Sequence, residues 1–451
     1  MPKARRVTRI DTSTPKLDVE LRGRALGTVG ASESSDVWYQ YRSEIVASSN
    51  GGRFDPLALS VQLPVVPTPY GHRATLAFFD NLLLESDTRT ELAMLERRDP
   101  SDVAGLLGRV GAECAGAASL FPTATPRAAP AYRVLSVPEV DALFDERFAH
   151  RLTDAMLEGQ QVMSGAQRKL VLRRTADGWA LPQHGAASTH ILKRSSGRYD
   201  GLVANELACL HLLATLGLQV PEAWAVGSHG PWPDGTREPR LLAIARFDRA
   251  VTGDPTDLSS PITRLHQEDL CQITGRRPTS KYQATQGPTL RELAAMLVRD
   301  SANAAEDLSR ALTLAVANVA LGNGDAHGKN VAMLVDDRGM RRLAPCYDVV
   351  STDIYPAFDP YPFAMKFGHA DRPSALQPAD LARLAKDFNV GLSFVRDAVA
   401  RVTDTLDANV DAICAEVEEA IGEATPALAR LRALVHARCT RLRVLLRVAG
   451  S

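Results

Sequence analysis

The spacing of hydrophobic residues changes about halfway along the chain, and this change constrains the fold most. Between residues 160 and 250, alternating runs such as KLVLRRTADGWALP and STHILKR predict β-strands, with a turn at Asp177-Gly178 and one amphipathic helix in NELACLHLLATLGL. From about residue 289 helical spacing dominates, and residues 377–448 consist largely of Ala, Leu, Val and Arg. A sheet-rich block followed by a helix-rich block predicts an α+β chain with two lobes and a cleft between them.

The first 130 residues predict a separate module of mixed structure. Residues 17–30 alternate around Arg22-Gly23 and predict a strand hairpin, and residues 57–64 predict another short strand. The stretches FFDNLLLESDTRTELAMLER and DVAGLLGRVGAECAGAASLF each predict a helical block. Residues 121–133 are rich in Pro and Ala without periodicity, so we expect a linker there and an end of the first module near Pro130.

Bulk properties exclude several classes of protein. The chain has 451 residues, 45% of them hydrophobic, and a formal net charge of -1, which gives no general electrostatic attraction to nucleic acid. The most apolar window, residues 311–321, is far shorter than the roughly 20 residues that span a bilayer. Six scattered cysteines lack metal-site spacing and indicate reduced thiols. We therefore expect a cytoplasmic protein without a membrane partner.

The stretch GNGDAHGKN, residues 322–330, follows directly after an apolar helical run and is crowded with polar groups. Two carboxylates and a carboxamide, Asp325, Asn330 and the later Asp348, could converge on a divalent ion, and Mg²⁺ favours few protein oxygens when it is shared with phosphates. The alternative is a helix end that Gly322 caps in the left-handed conformation, followed by an ordinary polar turn. The loop alone does not decide between these interpretations.

An acid followed by four residues and an asparagine is also the arrangement of a kinase catalytic loop, in which the Asp accepts a proton and the Asn holds a metal. Such an enzyme needs a strand lysine for the nucleotide phosphates and an acid on the next helix. Lys193 ends the predicted strand THILK, and Glu206 lies on the following helix. Each alone could be a solvated charge. Together with Asp325, Asn330 and Asp348 they favour a kinase that uses ATP and Mg²⁺.

Other segments supply weaker candidates for contact with the nucleotide. The loop SGAQRK could cover phosphates with backbone N–H groups, and the end of the strand LLAIARFDR falls where the linker between lobes would touch an adenine. His327 is better explained as a structural or phosphate contact than as a metal ligand. The candidates in these segments are Ser164, Gly165, Ala166, Gln167, Lys169, Phe247, His327 and Lys329.

These motifs, taken together, resemble the HipA family of serine/threonine kinases, which act as toxins of bacterial toxin–antitoxin pairs. The matching blocks are FFDNLLLESDTR, GAECAGA, SGAQRK, THILK, NE at 205–206, RFDR, LHQEDLCQ with KY at 281–282, GNGDAHGKN and LAPCYDVVST. The resemblance implies a bilobal protein-kinase-like fold with an extra N-terminal subdomain. That subdomain would be residues 1–130, the β-rich N-lobe would be 131–250, and an all-helical C-lobe would be 251–451.

The resemblance also implies a role for individual residues. Asp325 would be the catalytic base, and Asn330 and Asp348 the magnesium ligands. Lys193 would hold the nucleotide phosphates with Glu206 as its pairing acid. Arg246, Phe247 and Asp248 would border the adenine, and Gln267 to Asp269 would help to build the cleft.

The substrate and partners that the resemblance implies are proteins. The family's best-known targets are aminoacyl-tRNA synthetases, whose phosphorylation halts translation, and the usual partner is a HipB-like helix-turn-helix antitoxin through which DNA is contacted indirectly. The sequence departs from the family at two places. Ala245 stands where relatives often carry glutamate, and Val162 stands where they carry an autophosphorylated serine. Ser164, two residues later, is therefore the candidate autophosphorylation site.

Two other functions remain open from the sequence. A small-molecule kinase of the aminoglycoside or choline type would share the catalytic-loop spacing but would not explain LHQEDLCQ, SGAQRK or the DNLLLE block. A catalytically silent corepressor of the antitoxin would fit Ala245 but would not need intact Asp325, Asn330, Asp348 and Lys193. A helical scaffold would need none of these residues.

Overall fold

The structure is a computed structural model, and it is mixed helix and sheet, as the sequence predicts. Its N-terminal part contains a four-stranded antiparallel sheet with strand order β3-β2-β1-β4. The predicted hairpin is present, and both turn residues, Arg22 and Gly23, have positive φ. The structure describes residues 16–32, 36–52, 54–144, 155–158, 169–194, 199–226, 241–356 and 362–448. The elements of the N-terminal part are β1 Lys16–Leu21, β2 Arg24–Ala31, β3 Val37–Tyr41, α1 Ser43–Ser48, α2 His72–Phe79, α3 Ser86–Leu95, α4 Val103–Val110 and β4 Ala118–Pro122.

A six-stranded antiparallel sheet with order β5-β7-β6-β8-β10-β9 forms the second part. Its β6–β7 hairpin turns at Ala176-Asp177, next to the predicted position, because Thr175 pairs with Gly178. The predicted helix after the central strand is also present. The elements are β5 Ala131–Leu135, α5 Val137–Leu143, β6 Lys169–Thr175, β7 Gly178–Gln183, β8 His190–Arg194, α6 Leu202–Thr215, β9 Ala223–Val226 and β10 Leu241–Ala245.

The third part is mainly helical, but it also holds a small sheet that the sequence did not reveal. The strands β13, β14 and β15 pair antiparallel in that order, so this region is not all-helical. The strands are only three or four residues long, too short for alternation to separate them from loops. The elements are β11 Arg249–Val251, β12 Ile262–Arg264, β13 His266–Asp269, α7 Leu270–Ile273, α8 Leu290–Asp300, α9 Ala304–Leu321, β14 Ala332–Val335, β15 Arg341–Leu343, α10 Pro378–Phe388, α11 Leu392–Ile421 and α12 Pro426–Val448.

Two hydrophobic cores organise these parts. One core joins the N-terminal sheet to the six-stranded sheet, since Val19 and Phe79 belong to the same buried cluster as Leu172 and Leu192. The other core lies among the C-terminal helices and also takes in the buried face of α6. The first two parts therefore fold around shared apolar surface, and α6 connects the six-stranded sheet to the helical region. The boundaries at residues 130 and 250 stay predictions.

Three predictions for the N-terminal part are wrong. The block that begins FFDNLLLE is not one helix, because α2 ends at Phe79 and α3 begins only at Ser86. Residues 57–64 do not form a strand. The Leu63 N–H donates to the Ser60 carbonyl at 3.0 Å and closes a turn, which leaves one isolated bridge between these two residues. The second helical block ends at Val110, and Ala118–Pro122 is strand β4, paired with β1. A short apolar run such as ASLF does not by itself distinguish a buried strand from a helix.

In the part of the chain that the structure describes, no helix is both long enough and apolar enough to cross a membrane.

Candidate active site

Lys193 lies at the centre of a buried ion cluster between the six-stranded sheet and the helical region. Strand β8 places its ammonium 2.6 Å from Glu206 Oε1 on α6 and 2.5 Å from Asp348 Oδ1 in the loop after β15. The side chains of Lys193 and Glu206 are 5% and 2% exposed, whereas that of Asp348 is 32% exposed. The cluster is therefore closed on its sheet side and open at Asp348.

The charges of this cluster are fixed by their partners. Burial lowers the pKa of Lys193, but Asp348 and Glu206 outweigh it, so the pKa lies above the ordinary value. Burial raises the pKa of Asp348 too, yet Lys193 and Lys169 hold it well below the usual range. Burial raises the pKa of Glu206, and Lys193 offsets only part of this effect. Asp348 thus remains an ionised carboxylate.

Lys169 on β6 lies directly opposite Lys193 on β8 in the backbone register of the sheet. Its side chain is buried, and burial lowers the pKa of Lys169 while Asp348 opposes that shift. Two lysines on one pair of strands thus act on the same carboxylate. An anionic ligand entering beside Asp348 would meet both positive charges.

Asp348 adopts a left-handed backbone conformation with φ of 57°. This conformation is uncommon for residues with a side chain, although Asp tolerates it better than most. The neighbouring Tyr347 hydroxyl donates to the Lys329 carbonyl at 2.7 Å and so ties this loop to the polar loop. Such local strain is typical of functional sites, where surrounding contacts maintain it.

The polar loop 322–330 begins with the helix cap that its sequence predicts as one of two interpretations. Gly322 ends α9 with φ of 68°, and an added Cβ would lie 2.7 Å from Leu434 Cδ2, so this position favours glycine strongly. Beyond the cap, Tyr282 donates its hydroxyl hydrogen to Asp325 Oδ1 at 2.6 Å. Asn330 Nδ2 donates to the Asp325 carbonyl at 3.0 Å. The loop is a capped helix end that also holds one carboxylate in a defined position.

Asp325 has the electrostatics of a base that works near neutral pH. Burial raises its pKa to about 6, and the Tyr282 hydrogen bond and Lys281 limit the rise. The negative charge of Asp348 contributes to raising the pKa of Asp325, so the two carboxylates are close enough to interact. A carboxyl with a pKa near the working pH is suited to proton transfer.

His327 and Lys329, the other loop candidates, are turned towards the protein. The His327 ring packs edge-on against Tyr282 at 5.2 Å, and burial, followed by Lys281, lowers its pKa to about 3, so it is neutral. Lys329 Nζ donates to Asn81 O, Asn81 Oδ1 and Asp269 Oδ2 at 3.0, 3.0 and 2.8 Å. All three donors of Lys329 are used, which does not fit the predicted phosphate contact.

The RFDR block forms a buried ionic network. Arg246 donates to Asp248 and to Glu113 of the GAECAGA block, and its side chain is 0% exposed. Burial raises the pKa of Glu113, but Arg249, Arg264 and Arg246 overcome this effect and lower it to about 2. The structure therefore does not support nucleotide contacts by the side chains of Arg246 and Asp248, which join the N-terminal part to the six-stranded sheet.

Two further cleft candidates have a different placement. Phe247 is half-buried, and its ring lies 5.2 Å from that of Tyr347, one residue before Asp348. Gln267 is half-buried on β13, where its backbone pairs with Leu334 of β14. Phe247 therefore packs beside the residue that precedes Asp348, and Gln267 belongs to the three-stranded sheet. Ser164, Gly165, Ala166 and Gln167 lie outside the described residues.

The donors near Asp325 fit a magnesium ion that is shared with phosphates. Among the described residues, no group of three or more His, Cys, Asp or Glu side chains could hold a metal by itself. Mg²⁺ bound with a nucleotide needs only one or two protein oxygens. Asn330 uses its N–H on the Asp325 carbonyl, so its amide oxygen is the atom that can ligate, and Asp348 is ionised and partly exposed.

Several residues that shape this site were not predicted from the sequence with any role. Tyr282 contacts Asp325 directly, and Lys281 pairs with Glu85 at 2.6 Å. Asn81 holds Lys329. The blocks KY and DNLLLE, which contain these residues, were visible as motifs. Their spacing does not reveal which distant residues they contact.

Comparisons with known proteins place this geometry in a family. Residues 17–121 match the family model described as HipA N-terminal domain, and residues 162–421 match the HipA-like C-terminal domain. A Sinorhizobium fredii protein named "Putative kinase Y4mE" is 32% identical over 414 residues, covering 89% of this chain and 92% of that protein. The "Serine/threonine-protein kinase toxin HipA" of Shewanella oneidensis is 25% identical over 387 residues, covering 81% and 80%.

The fold is also similar to that of a solved structure. HipA from Shewanella oneidensis, in a toxin–antitoxin complex with HipB and operator DNA, aligns with a TM-score of 0.78 at 22% identity. The alignment covers 96% of this chain and 99% of that one. The likeness spans the N-terminal sheet, the six-stranded sheet and the helices together. The chain belongs to the HipA family of kinases.

Proposed function

We propose that this protein is an ATP- and Mg²⁺-dependent serine/threonine protein kinase and the toxin of a toxin–antitoxin pair. The observation that carries this proposal is the pairing of two unlike carboxylates. Asp325 has a pKa of about 6 and Asp348 stays ionised beside Lys193, and the two interact electrostatically. Phosphoryl transfer to a hydroxyl uses one group that accepts the hydroxyl proton and another that stays charged and holds the metal.

In the proposed reaction, Asp325 accepts the proton of the substrate hydroxyl while the hydroxyl oxygen attacks the γ-phosphorus. A new O–P bond forms, the bond from the γ-phosphorus to its bridging oxygen breaks, and ADP leaves with the electron pair. Tyr282 holds the carboxylate of Asp325 in place. Because Asp325 is ionised above about pH 6, this residue is a competent base at neutral pH.

The nucleotide would lie against the Lys193 cluster. Lys193 and Lys169 would supply positive charge for the phosphates, and Glu206 would keep Lys193 oriented. The half-buried Phe247 ring, which packs against Tyr347, is the proposed stacking partner of the base. A magnesium ion held by Asn330 and Asp348 would neutralise charge on the phosphates. Lys193 now donates to Asp348, so nucleotide binding would redirect that ammonium towards phosphate oxygens.

The proposed partners follow from the relatives. The similar Shewanella structure contains HipB and operator DNA, which supports a HipB-like antitoxin for this chain and contact with DNA only through that antitoxin. We propose a protein substrate, with an aminoacyl-tRNA synthetase as the first candidate, so that its phosphorylation would inhibit translation and growth. Ser164 remains the proposed site of autophosphorylation.

Intact-mass analysis after incubation with ATP and Mg²⁺ tests the proposal, beside an Asp325→Ala variant. We expect a gain of phosphate in the unmutated chain alone, or in an added aminoacyl-tRNA synthetase when both are present. Peptide mapping then tests Ser164. Transfer to an aminoglycoside or choline, with none to protein, would instead identify a small-molecule kinase. ATP-independent antitoxin binding without any transfer would identify a silent corepressor.

A further inference from the structure

The segment Asp80–Glu85, DNLLLE, lies in the N-terminal part of the chain but contacts the surroundings of the proposed base. It follows α2 as a 3-10 turn and then an extended residue, Leu83, with φ of −78° and ψ of 159°. This break divides what the sequence predicts as one helical block. It places Asn81 and Glu85 against the helical region instead of along one helix face.

The first contact leads to Asp325 through Glu85. Glu85 Oε2 accepts from Lys281 Nζ at 2.6 Å, and both side chains are nearly buried, at 11% and 12% exposure. The next residue along the chain, Tyr282, donates its hydroxyl to Asp325. Lys281 also acts on Asp325 electrostatically. Glu85 itself acts on Asp325 electrostatically, and its ion-pair partner Lys281 is the neighbour of Tyr282 in the chain.

The second contact leads to the same carboxylate through Asn81, which is 2% exposed. Asn81 accepts two of the three hydrogen bonds of Lys329, and its own Nδ2 donates to the Arg276 and Ala77 carbonyls. Lys329 directly precedes Asn330, which donates to the Asp325 carbonyl. Asn81 thus binds Lys329, the chain neighbour of Asn330, which is a direct partner of Asp325.

We propose that the DNLLLE segment is a positioning element for the catalytic loop, with Glu85 and Asn81 as its positioning residues. This inference rests on the proposed kinase function and extends it: the N-terminal part supplies two fixed supports on opposite sides of Asp325. Residues that orient a reacting group matter because small displacements of that group lower the rate strongly.

Asp80 in the same segment has an ion-pair partner, Arg277, whose removal serves as the control. It is buried and pairs with Arg277 at 2.8 Å and with Arg89 at 2.7 Å. Arg277 belongs to the helical region, so this ion pair also joins the two parts of the chain. No hydrogen bond described for Arg277 leads to the 322–330 loop. Removing Arg277 therefore weakens the same interface without removing either support.

The test compares Glu85→Ala, Glu85→Gln and Asn81→Ala with Arg277→Ala in the full-length protein. Amide hydrogen exchange of the peptide covering 322–330 is measured first, without nucleotide. We expect exchange to accelerate about tenfold or more in Glu85→Ala and Asn81→Ala. The conservative Glu85→Gln, which keeps an acceptor for Lys281, should restore slow exchange. Arg277→Ala should match the unmutated chain.

Steady-state phosphoryl transfer by the same proteins is the second readout. We expect kcat to fall about threefold to tenfold in Glu85→Ala and Asn81→Ala, because neither variant removes a direct partner of Asp325. KM for ATP should change less than kcat, since the hydrogen bonds of Lys193 to Glu206 and Asp348 remain. Exchange and kcat equal to those of Arg277→Ala would overturn the inference. An inactive unmutated protein whose loop still loosens in both variants would support the positioning element and refute the kinase.

Discussion

Asp325 and Asp348 are the same residue type in the same site, yet their protonation equilibria are displaced in opposite directions. Burial acts to raise the pKa of both. Asp348 Oδ1 accepts a hydrogen bond from the Lys193 ammonium at 2.5 Å, whereas Asp325 Oδ1 accepts one from the neutral Tyr282 hydroxyl at 2.6 Å. The full positive charge of Lys193 outweighs the effect of burial on the pKa of Asp348. The Tyr282 hydroxyl only reduces the effect of burial on the pKa of Asp325. The choice of hydrogen-bond partner therefore separates a carboxyl whose pKa lies near neutral pH from one that stays ionised.

The largest effect is expected from removing the base itself. Asp325→Asn keeps the shape of the side chain but cannot accept a proton, so kcat should fall about 10²- to 10⁴-fold. Single-turnover transfer from labelled ATP measures this loss. Nucleotide binding should be unchanged, because Lys193 and Asp348 remain. A variant that retains the original rate would show that Asp325 is not the base.

Removing Lys193 tests the explanation for the low pKa of Asp348. Lys193→Met leaves Glu206 and Asp348 without their cation, and breaking a buried ion pair typically costs about 3–5 kcal/mol of unfolding free energy. Transfer should be lost as well. Chemical denaturation measures the stability change.

The double variant Lys193→Met/Glu206→Leu separates the two roles of Lys193. It replaces the buried pair with apolar side chains, so most of the lost stability should return while transfer stays absent. Full activity in the stable double variant would exclude Lys193 as a nucleotide contact.

A smaller effect is expected at the proposed metal ligand. Asn330→Ala removes one oxygen ligand and the donor to the Asp325 carbonyl, so activity should fall about tenfold or more at low Mg²⁺ and recover partly as Mg²⁺ is raised. Initial rates across a Mg²⁺ titration measure this recovery. A loss of equal size at every concentration would leave Asn330 with only its hydrogen bond to the loop.

The smallest effect is expected from Tyr282→Phe. Its hydroxyl lowers the pKa of Asp325, so removing it should raise that pKa above about 6 and move the acidic limb of the pH–rate profile to higher pH. The rate at pH 8 should change less than about tenfold, since one hydrogen bond contributes on the order of 1 kcal/mol. An acidic limb that does not move would contradict the assigned contact.

The sequence predicted the parts of this structure that depend on local pattern. The hairpin at 17–30, the strand that carries Lys193 and the helix that carries Glu206 all follow from hydrophobic spacing. Gly322 was interpretable as a helix cap for the same reason. The order of lysine, acid and catalytic loop along the chain then indicated a kinase.

The sequence did not predict the features that depend on long-range contacts. The RFDR motif predicts that Arg246 and Asp248 contact the nucleotide, but Arg246 donates to Glu113, more than a hundred residues away, within a buried ionic network. The loop motif predicts a phosphate contact for Lys329, but its ammonium donates to Asn81 and Asp269 instead. A charged residue within a motif does not show whether its partner is a ligand or another segment of the same chain.

The pH dependence of single-turnover phosphoryl transfer tests the division between Asp325 and Asp348 most directly. The rate should be constant near pH 8 and fall as pH drops through about 6, where Asp325 becomes protonated. Asp348 should cause no further change in that range, because its pKa lies far lower. A rate that stays constant down to pH 5, or an Asp325→Asn variant with the same profile and rate, would contradict the assignment of Asp325 as the base.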